Sequence, residues 1–216
     1  LEMEADSQYA DVMERALYNT VLGGMALDGK HFFYVNPLEV HPKSLKFNHI
    51  YDHVKPVRQR WFGCACCPPN IARVLTSIGH YIYTPREDAL YVNLYIGNSV
   101  EVPVGDRTLR LRISGNYPWQ DQVKIVIDSP DPITHTLALR LPDWCSAPQV
   151  ALNGRDVAGT VKKGYLHISR TWVEGDTLTL TMPMPVRRVY GNPLVRHQAG
   201  LVAVQRGPLV YCLEQA

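Results

Sequence analysis

Short β-type segments separated by turn residues fill the chain from Asp88 onward, and this pattern most limits the folds available to it. The segments are rich in Val, Ile, Leu, Thr and Tyr, and turn-forming pairs such as Asn153-Gly154 separate them. Many short strands at this spacing predict an antiparallel β-sandwich. The predicted strands are 89–96, 100–104, 108–113, 123–127, 136–141, 165–168, 177–182 and 201–205.

Apolar residues at helical spacing characterise the first third of the chain instead. The spacing predicts a helix of about four turns that begins near Asp6-Ser7 and ends at Gly23-Gly24. The segment Asp28-Gly29-Lys30 predicts a short hairpin, and a polar loop follows it. A second helix is predicted from Pro68-Pro69-Asn70 to Ile82, because proline is tolerated in the first turn of a helix.

The two patterns meet near Thr84-Pro85-Arg86 and divide the chain into two predicted domains. Residues 1–85 are predicted to belong to a helical domain. Residues 86–216 are predicted to form the β-sandwich, which this sequence need not contain in full. The predicted fold class is therefore α+β, with more than one domain.

Composition restricts the compartment and the partners. The net charge of +2, without a Lys/Arg block, gives no reason to expect nucleic acid as a partner. No stretch approaches the roughly 20 apolar residues of a membrane-spanning helix, so no membrane partner is expected. Five cysteines, three of them within four positions, do not fit a secreted disulfide framework, which predicts a cytoplasmic protein. Because the chain begins with Leu1 rather than Met, we expect the natural N-terminus to lie upstream.

The run Cys64-Ala65-Cys66-Cys67 lies immediately before the second predicted helix. Thiolates act as nucleophiles and metal ligands, and the N-terminus of a helix favours negative charge. The spacing alone leaves metal binding or catalysis open against buried structural thiols or a Cys66–Cys67 disulfide. A thiol redox site would need a thioredoxin-like setting that this sequence does not provide. The other two cysteines, Cys145 and Cys212, are predicted to be small buried residues.

Seven short segments, in their order along the chain, match the sequence pattern of a known family. They are Tyr9–Asn19 (YADVMERALYN), Leu27–Gly29 (LDG), Phe33–Leu38 (FYVNPL), Trp61–Asn70 (WFGCACCPPN), Leu141–Trp144 (LPDW), Asn153-Gly154 and Gln205–Tyr211 (QRGPLVY). This set closely resembles the β-L-arabinofuranosidase family, glycoside hydrolase family 127 (GH127). The similarity extends over nearly the whole chain, and the cysteine-proline segment is its most specific part.

The resemblance implies a fold and a reaction. The fold is the last part of an (α/α)6 barrel followed by an antiparallel β-sandwich. The reaction is cleavage of β-L-arabinofuranosides with retention of configuration, through a zinc-associated cysteine nucleophile. By this resemblance Cys66 is the catalytic nucleophile and a zinc ligand, Cys67 is a second zinc ligand, and Tyr34 is a substrate-binding residue near the sugar.

The same resemblance implies that the Zn²⁺ site is incomplete in this chain. The family uses an E-x-C motif for two further ligands and a glutamate as general acid/base, and this sequence contains no E-x-C. We therefore expect a C-terminal fragment that is inactive by itself. The expected partners are an arabinofuranoside-type sugar and a second copy of the chain, bound through helix faces that the rest of the barrel would cover.

Other readings stay open at this level. The main alternative is a non-catalytic zinc- or carbohydrate-binding module with structural cysteines. His41, His49 and His53 lie in the loop before the cysteines, where solvent exposure is favoured over a place in the sugar pocket. Trp61 and Phe62 suit either a sugar-stacking face or packing of the loop. The residues Trp119, Trp144 and Trp172 are predicted to pack in the core or at an edge rather than to form a sugar surface.

Overall fold

The computed structural model describes residues 1, 3–35, 40–43, 45, 52–64, 66 and 68–213. The chain divides into two compact units: Leu1–Val12 with His80–Ala216, and Met13–Gly79. The helices are α1 (Ser7–Arg15), α2 (Pro68–Ser77) and α3 (Gly79–Ile82), and a π-helical segment, Ala16–Val21, continues α1. Within the described residues, no helix is long and apolar enough to cross a membrane.

Most of the described chain is β-structure. The strands are β1 (Tyr83–Pro85), β2 (Ala89–Val92), β3 (Asn98–Val104), β4 (Arg107–Gly115), β5 (Gln122–Ile127), β6 (Ile133–Arg140), β7 (Gln149–Leu152), β8 (Arg155–Asp156), β9 (Thr160–Lys162), β10 (Tyr165–Trp172), β11 (Thr177–Thr181), β12 (Val186–Tyr190), β13 (Val202–Arg206) and β14 (Leu209–Tyr211).

Two larger sheets form the sandwich. One has the strand order β1-β2-β6-β10-β9, and the other has the order β3-β4-β5-β11-β7-β8. All neighbouring strands of these sheets pair antiparallel except β2 and β6, which are parallel. The predicted sandwich is thus confirmed, with one parallel pair that the sequence pattern did not predict.

Strict alternation along the strands produces the core. In β4, Leu109, Leu111 and Ile113 are buried while the residues between them are exposed. Apolar residues of both sheets join in one buried cluster, because period-two side chains point to a single face. Trp172 is fully buried in this cluster and donates from its indole N–H to the carbonyl oxygen of His135, at 2.9 Å.

A third sheet, β12-β13-β14, follows the sandwich. It buries much less apolar surface than the other two sheets. All five residues of β12 are exposed, and in β13 only Gln205 is buried.

A buried polar network lies where α1 meets the five-stranded sheet. Arg140 at the end of β6 is fully buried, and its Nη1 donates to Asp11 Oδ1 of α1 at 2.6 Å. The Nε of Arg140 donates to the carbonyl oxygen of Asn93 at 2.5 Å. The side chain of Asn93 accepts from Tyr165 Oη and donates to Thr84 Oγ1. These contacts satisfy polar groups that burial would otherwise make costly.

The Met13–Gly79 unit contains the π-helical segment, a tight turn and α2. The turn at Asp28 is held by its carboxylate, which accepts from the amides of Lys30 at 2.8 Å and His31 at 3.2 Å. The Lys30 amide is the main reason that the pKa of Asp28 lies below its usual value. After the turn, Phe32 pairs antiparallel with Gln59 and brings the ends of the polar loop together.

Several local predictions differ from the structure. The second helix is not continuous to Ile82, because a turn at Ile78 separates α2 from α3 at Gly79, a poor helix former. Cys145 is buried as predicted, whereas the prediction for Cys212 is wrong because this residue is exposed. Trp144 and Trp172 are core residues, but the side chain of Trp119 is 61% exposed.

Candidate active site

Cys66 lies two residues before α2 and its side chain is exposed. The first turn of α2 contacts it directly, since Asn70 Nδ2 donates to the carbonyl oxygen of Cys66 at 3.1 Å. The thiol therefore lies near the end of the helix that favours negative charge. Cys67, predicted as the second zinc ligand, lies outside the described residues, as does His49.

Tyr34 and Cys66 are 32 residues apart in sequence, and the structure brings them into contact. The phenolic Oη of Tyr34 is 2.8 Å from Cys66 Sγ. Tyr34 follows the tight turn closely, where the amide of Phe33 donates to the carbonyl oxygen of Gly24 at 2.8 Å. The pairing of Phe32 with Gln59 fixes the same segment from its other side. These backbone contacts thus place Tyr34 within reach of the cysteine.

Aromatic rings surround the phenol of Tyr34. The imidazole of His53 stacks on it, with ring centroids 4.5 Å apart and planes inclined by 24°. Phe62 contacts the Tyr34 ring at 5.5 Å and the Phe32 ring at 5.4 Å. Phe62 is buried whereas Trp61 beside it is 65% exposed. Phe62 therefore packs in the loop, and Trp61 presents an exposed aromatic face.

A second thiol lies beside the first. Cys64 Sγ is 3.4 Å from Cys66 Sγ, and both side chains are exposed. Cys64 and Cys66 are therefore not buried structural thiols. The resemblance gave no role to Cys64, and only the structure shows that it contacts Cys66.

The donor chemistry of this cluster is compatible with zinc. Thiolates are among the ligands that zinc prefers, and four protein or solvent ligands usually complete its coordination. Within the described part of the chain, no three His, Cys, Asp or Glu side chains are grouped so that they could hold a metal ion. Cys66 thus has a side chain of the type that zinc binds, and the described residues contain no complete set of zinc ligands.

Arg58 is a neighbour of this cluster that the sequence did not single out. Its guanidinium lies over the ring of Phe33, 4.7 Å from the centroid, and its Nη2 donates to the carbonyl oxygen of Gly23 at 2.7 Å. These contacts connect the loop after the hairpin to the end of the π-helical segment. A single arginine in a polar loop has no sequence signal that would predict this role.

Three family models match successive parts of the chain. Residues 1–80 match the GH127 β-L-arabinofuranosidase catalytic domain, residues 89–184 the GH127 middle domain, and residues 186–216 the C-terminal domain of glycoside hydrolase family 127. The chain belongs to glycoside hydrolase family 127. The third sheet of the structure falls within the part that matches the C-terminal GH127 domain.

Individual relatives agree with this assignment. A non-reducing end β-L-arabinofuranosidase of Bifidobacterium longum subsp. longum is 40% identical, over all of this chain and 33% of the relative. The crystal structure of a GH127 β-L-arabinofuranosidase from Geobacillus stearothermophilus T6 is 52% identical, with a TM-score of 0.90 over 98% of this chain and 33% of that one. A further solved GH127 β-arabinofuranosidase is 37% identical, with a TM-score of 0.84 over 95% of this chain and 33% of that one. The chain spans about a third of the length of these relatives.

Proposed function

We propose that the protein containing this chain is a retaining glycoside hydrolase that cleaves β-L-arabinofuranosides, with Cys66 as its nucleophile. The contact between Tyr34 Oη and Cys66 Sγ carries the proposal, because it joins the two residues that the GH127 resemblance places at the sugar. Membership of GH127 and the activities of the named relatives support the substrate class. As part of the same proposal, residues 1–85 are the last part of an (α/α)6 barrel, and residues 86–216 continue into the sandwich.

The thiol of Cys66 is suited to covalent catalysis. Its side chain is exposed, so a sugar can approach the sulfur, and it lies two residues before the first residue of α2. In the first step the thiolate attacks the anomeric carbon, a carbon–sulfur bond forms, and the glycosidic carbon–oxygen bond breaks as the leaving oxygen takes a proton from a general acid. Water then attacks the same carbon as it gives a proton to the conjugate base of that acid, and the sulfur leaves as thiolate, so the configuration is retained.

The hydroxyl of Tyr34 has a defined part in this sequence. It donates a hydrogen bond to the thiolate sulfur, which holds the nucleophile in one orientation before attack. In the second step the same bond stabilises the sulfur as negative charge returns to it. A thioglycoside is otherwise difficult to cleave, so help to the leaving thiolate is where this contact contributes most.

Zinc belongs to the proposal through the chemistry of its ligands. Cys66 and Cys67 would hold it, together with ligands that this chain does not contain. When bound, zinc would stabilise the anionic form of the nucleophile sulfur. The chain's own residues still orient that sulfur, through Tyr34 and through the backbone contact with Asn70.

The test uses the full-length protein and an aryl β-L-arabinofuranoside. Cys66→Ala and Cys66→Ser are compared with wild type, and Cys212→Ala is the matched control because Cys212 is also an exposed cysteine. We expect both Cys66 variants to lose turnover by at least about a thousandfold, as removal of a covalent nucleophile does. The control should keep wild-type rates. Mass analysis of peptides from quenched wild-type enzyme should show one added anhydropentose on the peptide that contains Cys66.

Two outcomes would contradict the proposal. Wild-type turnover in Cys66→Ala would remove Cys66 from the mechanism. Release of product with inverted anomeric configuration, followed by NMR at early times, would exclude the double displacement.

A further inference from the structure

The imidazole of His53 stacks on the ring of Tyr34 in the site, and the reaction steps above do not use His53. Its imidazole is nearly parallel to the phenol, at an inclination of 24° and a centroid distance of 4.5 Å. Offset stacking at this separation is favourable and restricts the rotation of both rings. The sequence left His53 open as a loop residue or a pocket residue, and the contact gives it a third role.

We propose that His53 is a positioning residue, whose stacked imidazole holds the Tyr34 hydroxyl on Cys66 Sγ. The expected effect on turnover rests on the proposed function. The positioning itself rests on the geometry of His53, Tyr34 and Cys66.

Backbone contacts place Tyr34 itself, and neighbouring side chains then set the orientation of its ring. Tyr34 is only half-buried, and a tyrosine ring on a loop can move about its first two side-chain torsions. Phe62 is buried and gives the ring a fixed neighbour at 5.5 Å with an inclination of 48°. His53 adds an exposed ring that stacks on the phenol. The hydroxyl then stays at 2.8 Å from the sulfur, a distance that a small ring rotation would destroy.

Aromaticity at position 53 is the property that this role requires. Phenylalanine keeps the stacking surface and has no nitrogen that could transfer a proton. Asparagine keeps a hydrogen-bonding group of similar reach and has no ring. The two substitutions therefore separate a positioning role from acid–base chemistry by the histidine itself.

The kinetic experiment uses the full-length protein with the substitutions His53→Phe, His53→Asn and His53→Ala. His197→Ala is the control, because His197 is an exposed histidine in the other compact unit. We expect His53→Ala and His53→Asn to lower kcat by about tenfold, the value of one hydrogen bond to a charged group, with KM nearly unchanged. His53→Phe and the control should keep kcat close to wild type. Circular dichroism and melting temperature check that each variant is folded.

A double-mutant cycle tests whether His53 acts through Tyr34. Tyr34→Phe removes the hydroxyl and keeps the ring on which His53 stacks. If His53 only positions that hydroxyl, His53→Ala has no further effect on kcat in the Tyr34→Phe background. Equal losses that multiply in the double variant would overturn the proposal, and so would a His53→Phe variant as slow as His53→Ala.

A second readout does not depend on hydrolysis. The rate constant for alkylation of Cys66 by iodoacetamide, followed by mass spectrometry of its peptide, reports the surroundings of the sulfur directly. We expect Tyr34→Phe and His53→Ala to shift this rate constant in the same direction and by the same factor, and the double variant to shift it no further. An unchanged rate in His53→Ala would overturn the positioning role. If the wild-type enzyme neither turns over nor forms a glycosyl-cysteine, the proposed function fails, and alkylation still decides the role of His53.

Discussion

Arg140 carries a charge at a fully buried position, and its neighbours explain how the fold tolerates it. Asp11 provides the counter-charge at 2.6 Å, and the carbonyl oxygen of Asn93 accepts from Nε. Burial nevertheless outweighs the attraction of Arg140 and raises the pKa of Asp11 above its ordinary value. Burying the two charges costs free energy of desolvation, and removing one partner leaves the charge of the other buried and uncompensated.

Removing only the cation should destabilise the protein strongly. Arg140→Met fills similar space and leaves the Asp11 carboxylate buried without its partner, which we expect to cost about 3 kcal/mol of unfolding free energy near neutral pH. Urea unfolding followed by the fluorescence of the buried tryptophans measures the loss. Arg112→Met is the control, since Arg112 and Asp128 form an exposed pair, and it should leave the free energy of unfolding nearly unchanged.

The loss in Arg140→Met should depend on pH in a defined direction. Without Arg140, the pKa of Asp11 rises further, because the arginine is the main group that lowers it. A carboxyl with a raised pKa in the folded state takes up a proton more readily when folded, so the stability is present at low pH and is lost as pH rises through that pKa. The difference in unfolding free energy between wild type and Arg140→Met should therefore become smaller as the pH falls from about 8 to about 5. A gap that widens on acidification would contradict this account.

At the scale of elements, burial separates the sandwich from the third sheet. The two large sheets share one apolar cluster, whereas β12 has no buried residue. Strand pairing alone contributes little without a buried face, because packing of apolar side chains provides most of the stability of a sheet. The same substitution should thus have very different effects in the two places.

A matched pair of valines tests this contrast. Val123 in β5 is fully buried, whereas Val202 in β13 is 49% exposed. We expect Val123→Ala to cost about 2.5 kcal/mol through lost burial and the cavity that remains. Val202→Ala should cost no more than about 0.5 kcal/mol, as exposed substitutions usually do. Equal losses in urea unfolding would show that the third sheet shares the cooperative core of the sandwich.

The length of an element decided how well the sequence predicted it. All eight predicted strands coincide with observed ones, because each is a run rich in Val, Ile, Leu, Thr and Tyr that turn residues bound. The pattern missed six observed strands: β1, β7, β8, β9, β12 and β14. Five of these strands have only two to four residues, which define no period, and in β12 (VRRVY) the pattern does not alternate apolar and polar residues. It also missed the π-helical continuation of α1, because the sequence periodicity of a helix does not distinguish one extra residue in a turn.

The candidate site was predictable from the sequence in part. The cysteine run before a helix pointed to thiol chemistry, and the resemblance added Tyr34. The contact between these residues depends on the Asp28 turn and the pairing of Phe32 with Gln59, which no local pattern encodes. The stacking of His53 has the same origin, since a loop histidine has no periodic signal of its partner.

At the scale of the whole molecule, the chain covers about a third of the length of its relatives, and we propose that its thiols belong to a larger zinc ligand set. The resemblance places two zinc ligands in an E-x-C motif and the proton donor in a glutamate, neither of which this sequence contains. We expect the full-length protein to bind about one zinc ion per chain and to lose turnover when a chelator removes it, because structural thiolate sites depend on the complete ligand set. The 216-residue chain alone should bind zinc weakly and release no sugar from an aryl β-L-arabinofuranoside.

Metal analysis after dialysis and a turnover assay on both proteins measure zinc content and activity. Restoration of activity by added zinc is the control for damage by the chelator. Full turnover by a full-length protein verified to be free of metal would exclude zinc from the reaction, and turnover by the short chain would show that the missing groups are dispensable.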